Sequence, residues 1–209
     1  LLANGSSSWK KVMAGIDTLN RHQVEWNAMA VVNSTTAEHP LEFYRFFKEI
    51  NCHYIQFTPI VERIDTTTGM SKPSHVTGTE GLTKESVTPK QFGRFLCTIF
   101  DEWVRHDVGN YFVQIFDATL ANWMGVEPGL CTMGRDCGHA GVIEHNGDVY
   151  SCDHFVYPEY LLGNINSQTL ASMMYGDKQT AFGKMKRGSL PTQCRECQWL
   201  FACNGECPK

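Results

Sequence analysis

The chain has 209 residues, 42% hydrophobic and 19% charged, the composition of a globular protein with a real core. Its net charge of −4 gives no electrostatic footing for nucleic acid or an anionic membrane, and no apolar run approaches the roughly 18 residues that a membrane span needs. Nine cysteines, with no charged and apolar signal regions in residues 1–6, point to metal rather than disulfides in a reducing, cytoplasmic setting.

Residues 8–21 read as a helix, with Trp9, Val12, Met13, Ile16 and Leu19 at helical spacing and serines 6 to 8 as candidate caps. Residues 24–32 read as a buried strand. Pro40 suits a first helical position, and Leu41, Tyr44, Phe47 and Ile50 form the next stripe. Residues 54–61 read as a second strand, with Pro59 near its end. Residues 62–88 are polar and rich in Gly, Thr and Ser, the texture of a long loop. Thr88-Pro89 opens a helix carrying Phe92, Phe95, Leu96, Ile99 and Trp103; residues 111–116 read as a short strand and 118–124 as a short helix. Helix and strand alternate with connections long enough for parallel pairing, which suits part of a β/α barrel or of a doubly wound sheet. The first residues enter a helical pattern with no strand before it, and the last cysteine is followed by only two residues, so both ends look cut.

From Gly129 the texture changes. Residues 142–150 form a hairpin pattern around Asn146-Gly147, which brings Cys152 back toward Cys137. Ser167 or Thr169 can cap a helix bearing Leu170, Met173 and Met174, and Phe182 and Met185 belong to another. Cys137 and Cys152 stand in a C-x9-G-x4-C pattern, and Cys194, Cys197, Cys203 and Cys207 in C-x2-C-x5-C-x3-C. With Cys131, that makes seven cysteines in the last third of the chain. Four thiols within residues 194–207 are crowded for two unstrained disulfides, whereas thiolates at such spacing suit zinc or an iron–sulfur cluster. Seven are too many for one four-ligand site and one short of two.

The two spacings together resemble the SPASM extension of radical S-adenosylmethionine enzymes. The runs Asn146-Gly147-Asp148-Val149-Tyr150-Ser151-Cys152-Asp153 and Leu162-Gly163-Asn164-Ile165 resemble the anaerobic sulfatase-maturating enzymes within that group. The resemblance covers residues 131–207 and extends over 9–61. It implies an α/β fold in which residues 1–128 are the C-terminal half of a partial (β/α)6 radical S-adenosylmethionine barrel. Residues 129–209 would then be a small, cysteine-rich α+β SPASM domain binding iron–sulfur clusters. It further implies that Cys131, Cys137, Cys152 and Cys207 hold one auxiliary [4Fe–4S] cluster. Cys194, Cys197 and Cys203 would hold a second, whose fourth ligand lies beyond the chain end. The family's C-x3-C-x2-C loop, which carries the cluster that cleaves S-adenosylmethionine, has no counterpart here and would lie upstream, so this chain alone is expected to be inactive.

The implied reaction oxidises an active-site Cys or Ser of an unfolded or nascent sulfatase to formylglycine. A 5′-deoxyadenosyl radical takes a hydrogen from Cβ, a base takes a proton, and an electron leaves through the clusters, with a flavodoxin or ferredoxin as electron donor. Asp153 matches the aspartate proposed as proton acceptor, and partial burial is expected to raise its pKa; an aspartate that merely receives backbone N–H bonds in a tight turn is the rival reading. Val61, at the end of the second strand, matches an aliphatic residue that touches the cofactor's adenosine; an ordinary core residue is the rival reading. A SPASM maturase of a different peptide and a non-catalytic zinc-bound interaction module are the rival functions. Cys52 and Cys97 fall on apolar faces and read as buried core thiols. His145 and His154 read as surface or neighbouring groups, and Trp199 and Phe201 as packing that shields a cluster.

Overall fold

The structure, a computed structural model, describes residues 5–64, 71–72 and 81–208. By its internal packing the chain falls into two units, Leu1–Phe116 and Asp117–Lys209.

The first unit is built from α1 (Trp9–Arg21), β1 (Asn27–Val32), α2 (Pro40–Glu49), β2 (Tyr54–Pro59), β3 (Arg63–Ile64), β4 (Ser71–Lys72), α3 (Pro89–His106) and β5 (Phe112–Val113). Strands β1, β2 and β5 form a parallel sheet in that order, with Asn27 opposite Tyr54 and Tyr54 opposite Phe112. The α2 and α3 connections are what parallel pairing requires. Ala30, Val32, Ile55 and Phe57 face the core formed with Tyr44 and Phe47 of α2 and Phe95, Ile99 and Trp103 of α3. Alternate residues Met29 and Val31 are exposed, so the strand read as wholly buried has one covered face.

Local chemistry sets the boundaries. Thr88 and Gln91 make a reciprocal capping box at the start of α3, and Pro40 occupies the first turn of α2. At α1 the cap is weaker: Ser8 makes no side-chain cap bond, and the Ser7 hydroxyl accepts from the Trp9 amide at 3.2 Å. Asp107, just past α3, is buried and accepts from the Tyr44 hydroxyl at 2.9 Å and from the Lys48 ammonium at 2.7 Å. Burial and that carboxylate push the Tyr44 hydroxyl well above its ordinary pKa.

Three expectations need correction. Strand β2 ends at Pro59, so Val61 lies beyond it and is 54% exposed rather than packed in the core. The strand expected over 111–116 is only Phe112–Val113, because α4 (Gln114–Trp123) begins at once. Cys97 is exposed, since Phe95, Ile99 and Trp103 set the buried face of α3 and residue 97 stands between them on the other side; Cys52 is buried as expected. Within the polar stretch 62–88, β3 and β4 pair antiparallel, while residues 65–70 and 73–80 lie outside the described residues.

The second unit contains β6 (Val142–Ile143), β7 (Asp148–Tyr150), β8 (Leu161–Asn164), α5 (Leu170–Met174), α6 (Asp177–Gly188), α7 (Thr192–Arg195) and α8 (Leu200–Cys203). The β6–β7 hairpin turns at Gly147, whose φ is +89°. A Cβ there would also lie 2.8 Å from Asn166 Nδ2, a side-chain end that would have to shift, so the conformation is the stronger reason for glycine. Asn164 closes the three-stranded antiparallel sheet: its Nδ2 donates to the Asn146 carbonyl at 3.1 Å and to Asp148 Oδ1 at 3.0 Å. Thr169 caps α5, accepting from the Ser172 amide at 3.2 Å. The core of this unit is modest, with Phe155, Tyr160 and Phe182 meeting edge to face at 4.9–5.6 Å.

Candidate metal centre

Four segments of the second unit carry the candidate thiols. Cys131 lies in a tight turn in which the Leu130 carbonyl accepts from the Met133 and Gly134 amides. The Cys137 amide donates to the Gly183 carbonyl of α6 at 3.1 Å. Cys152 follows β7 and precedes a 3-10 turn, Asp153–Phe155. Cys207 ends a run, Asn204-Gly205-Glu206, in which every φ is positive. Asn204 ties that run back to the first turn, its Nδ2 donating to the Met133 carbonyl at 2.9 Å. Asn122 of α4 donates to the same carbonyl at 2.9 Å and to the Ala202 carbonyl at 2.8 Å. These bonds tie the tail to the turn that carries Cys131.

The result is one connected group of sulfurs. Cys137 feels the charges of Cys131 and Cys207, and Cys152 feels that of Cys207. Burial is the largest influence on both: it raises the Cys137 thiol, and with the Asp153 carboxylate it pushes Cys152 up to about 11. Cys194 and Cys197 are joined by a turn, the Cys197 amide donating to the Cys194 carbonyl at 3.2 Å, and the Trp199 amide donates to Cys197 Sγ at 3.4 Å. Cys203 closes α8.

The donor set fits an iron–sulfur cluster. All nine cysteines are free thiols. Burial, with neighbouring negative charge, disfavours the thiolates of Cys137 and Cys152, and a cationic centre would reverse that penalty. The amide-to-sulfur bond at Cys197 is the contact that stabilises a ligating thiolate.

Asp153 is exposed, beside the Cys152 sulfur, which donates to its Oδ1 at 3.2 Å. That bond, with help from His154 and backbone amides, holds the carboxyl below its ordinary pKa against a smaller opposing effect of burial. The expectation of a raised value is therefore corrected. An iron-bound thiolate has no proton to donate, so the largest cause acts only while Cys152 is a thiol. His154 Nδ1 lies 3.4 Å from Cys207 Sγ, whereas His145 is exposed at the hairpin. Trp199 and Phe201 pack on Trp123 at 5.8 and 4.8 Å and remain about half exposed, at 51% and 46%.

Sequence reading expected the helix carrying Phe182 and Met185 but missed the polar residues of its buried face, which organise these loops. The buried face of α6 is Gln179, Phe182, Gly183 and Lys186, at i, i+3, i+4 and i+7. Gln179 Nε2 donates to the Gly138 carbonyl at 2.8 Å and to the Ser151 carbonyl at 3.0 Å, strapping the loops that carry Cys137 and Cys152. The spacing was the available signal, but three of the four residues are not large and apolar.

Residues 131–198 match the family profile described as SPASM, an iron–sulfur cluster-binding domain. Over 207 residues the chain is 66% identical to a serine-type anaerobic sulfatase-maturating enzyme of Bacteroides thetaiotaomicron, covering 98% of this chain and 50% of that protein. It is 32% identical to a cysteine-type anaerobic sulfatase-maturating enzyme of Clostridium novyi, over 98% of this chain and 52% of that one. Among solved structures, native anSMEcpe with bound AdoMet and Cp18Cys peptide superposes with a TM-score of 0.81 at 26% identity, covering 98% of this chain and 54% of that chain. The chain thus spans about half the length of the curated relatives it matches. Sequence and fold relate it to the anaerobic sulfatase-maturating enzymes, with the α/β and cysteine-rich architecture expected from its sequence. Among the described residues, no helix is long and apolar enough to cross a membrane.

Proposed function

We propose that this relative of the anaerobic sulfatase-maturating enzymes supplies the auxiliary-cluster part of a cytoplasmic radical S-adenosylmethionine enzyme that converts a sulfatase residue to formylglycine. The observation that carries the reading is the gathering of Cys131, Cys137, Cys152 and Cys207 beside the carboxylate of Asp153. In this reading those four cysteines hold one [4Fe–4S] cluster, and Cys194, Cys197 and Cys203 bind a second with one further ligand. Residues 1–128 act as barrel and 129–209 as cluster domain, and Val61, exposed just past the end of β2, contacts the adenosine of S-adenosylmethionine. When bound, the cofactor and clusters supply hydrogen abstraction from the substrate Cβ and a route for the departing electron. The chain's own residues orient and deprotonate: Asp153 takes the proton from the substrate hydroxyl or thiol. A serine target is favoured by the 66% likeness to a serine-type enzyme. A sulfatase polypeptide is the substrate, and a flavodoxin or ferredoxin serves as electron donor.

The test is anaerobic purification of the complete protein, metal analysis, and incubation with S-adenosylmethionine, a chemical reductant and a serine-containing sulfatase peptide. Iron and sulfide with an aldehyde product, read by mass spectrometry, are expected. Zinc in place of iron would favour an interaction module. Iron without aldehyde on serine or cysteine peptides would shift the assignment to a maturase of another peptide.

A further inference from the structure

Lys186 is the one lysine among the described residues that is buried, at 1% exposure. It projects from the inner face of α6, and its ammonium donates to the carbonyls of Cys131 at 3.4 Å, Thr132 at 2.8 Å and Gly134 at a shorter distance. An ammonium has three protons and a neutral amine two, so three carbonyl acceptors suit the charged form. Burial, the largest influence, lowers its pKa, while Cys137, Cys131, Cys207 and Cys203 act in the opposite direction and favour the charge. Buried lysines are rare because an unpaired charge is costly. Among the described residues it pairs with no carboxylate; its compensation is a turn of carbonyls, with the sulfurs of Cys131 and Cys137 near enough to favour the charge.

We propose that Lys186 is a positioning residue for the cluster held by Cys131, Cys137, Cys152 and Cys207: it pins the Cys131 turn and sets a fixed positive charge beside the thiolates. The inference rests on the cluster assignment above. A fixed cation favours the more negative redox state, so it raises the potential at which the cluster accepts one electron. The reach to Cys203, which belongs to the second candidate set, extends the same influence toward that set. The side chain thus joins two tasks that a core leucine could not, holding a ligand loop and balancing ligand charge.

The experiment uses the complete protein, reconstituted anaerobically, with dithionite as electron source. The signal of this cluster is identified by its loss in Cys152→Ala, and its midpoint is read by redox titration with electron paramagnetic resonance. Lys186→Gln keeps up to two donors for the turn and removes the charge. It is expected to bind iron but to shift the oxidised-to-reduced ratio at a fixed potential about tenfold toward oxidised, equivalent to 59 mV for one electron. Lys186→Arg, which keeps the charge, is expected to restore the ratio toward wild type. A Gln variant with the wild-type midpoint overturns the electrostatic role, and one with both the wild-type midpoint and wild-type iron retention overturns the proposal. If the Gln variant fails to fold or bind iron, the Arg variant decides: a wild-type midpoint and iron content upholds the pin, and failure to retain iron in a folded chain overturns it. Wild-type protein without any cluster would instead defeat the assignment on which the inference rests.

Discussion

Gly183 offers the sharpest test of how α6 holds the metal-binding loop. A Cβ at this position would lie 2.6 Å from the Cys137 carbonyl oxygen and 3.3 Å from its carbon. Both are backbone atoms, so no side-chain rotation relieves the contact, and the Cys137 amide is bonded to the Gly183 carbonyl at 3.1 Å. Gly183→Ala must therefore move the loop or the helix. Overpacking of this kind costs about 1–3 kcal/mol, while replacing a mid-helix glycine returns about 0.8–1 kcal/mol of helix propensity. The net is about 1 kcal/mol of destabilisation, or about 2–4 °C in Tm for a chain of this size. The loop shift should also weaken cluster retention about 10–100-fold, as loss of supporting contacts does at metal sites. Gly188→Ala is the control, since a Cβ there meets nothing within 4 Å. Iron per chain and thermal unfolding would be measured for both. If Gly183→Ala keeps its iron and gains stability as Gly188→Ala should, the close approach does not position Cys137.

Two further outcomes follow from the thiols. Cys152→Ala should lose iron and lower Tm together, because metal binding and folding are coupled in so small a core; full iron with an unchanged Tm would refute this. In metal-free protein the Cys152 thiol titrates near 11 against an ordinary value of 9.0. The folded state therefore keeps a proton that the unfolded state releases, and stability relative to Cys152→Ala should fall as pH rises from about 9 to 11. Denaturant titrations across that range, with iodoacetamide labelling of Cys152 slow until its upper end, are the check; a pH-independent difference would contradict the burial argument.

Much of the first unit was legible because apolar stripes at helical spacing, a capping box and Pro at the first turn agree on α1, α2 and α3. The run at 111–116 misled because a short aromatic and β-branched stretch suits a strand as well as a helix. Phe116, Leu120 and Trp123, at i, i+4 and i+7, were the helical signal. Cys97 was misplaced for a related reason: a stripe fixes a helix more securely than it fixes which residue at its margin is covered. In the second unit the cysteine spacing and the Asn146-Gly147 turn were legible. The scaffold was not, because Gln179, Gly183 and Lys186 act on backbone carbonyls, and a pattern built on apolar residues passes over them. Their partners are 28 to 55 residues away, beyond any local signal.

Asp153 brings sequence and geometry into direct tension. Its place in the 3-10 turn, accepting amides from His154 and itself, is what a purely structural aspartate would show. Yet its carboxylate also stands against the Cys152 sulfur, at the edge of the candidate cluster. The bond from the Cys152 thiol is the largest cause of its lowered pKa, and ligation of that sulfur would remove the proton that makes it. Asp153→Asn preserves shape but cannot take a proton, and positioned bases contribute about 10²–10⁴-fold. With the complete enzyme and the serine peptide, formylglycine formation should fall by about that factor, while S-adenosylmethionine cleavage and iron content persist. Aldehyde formation within about twofold of wild type would remove Asp153 from proton transfer, since a base is worth far more. Loss of iron together with activity would assign Asp153 to the turn.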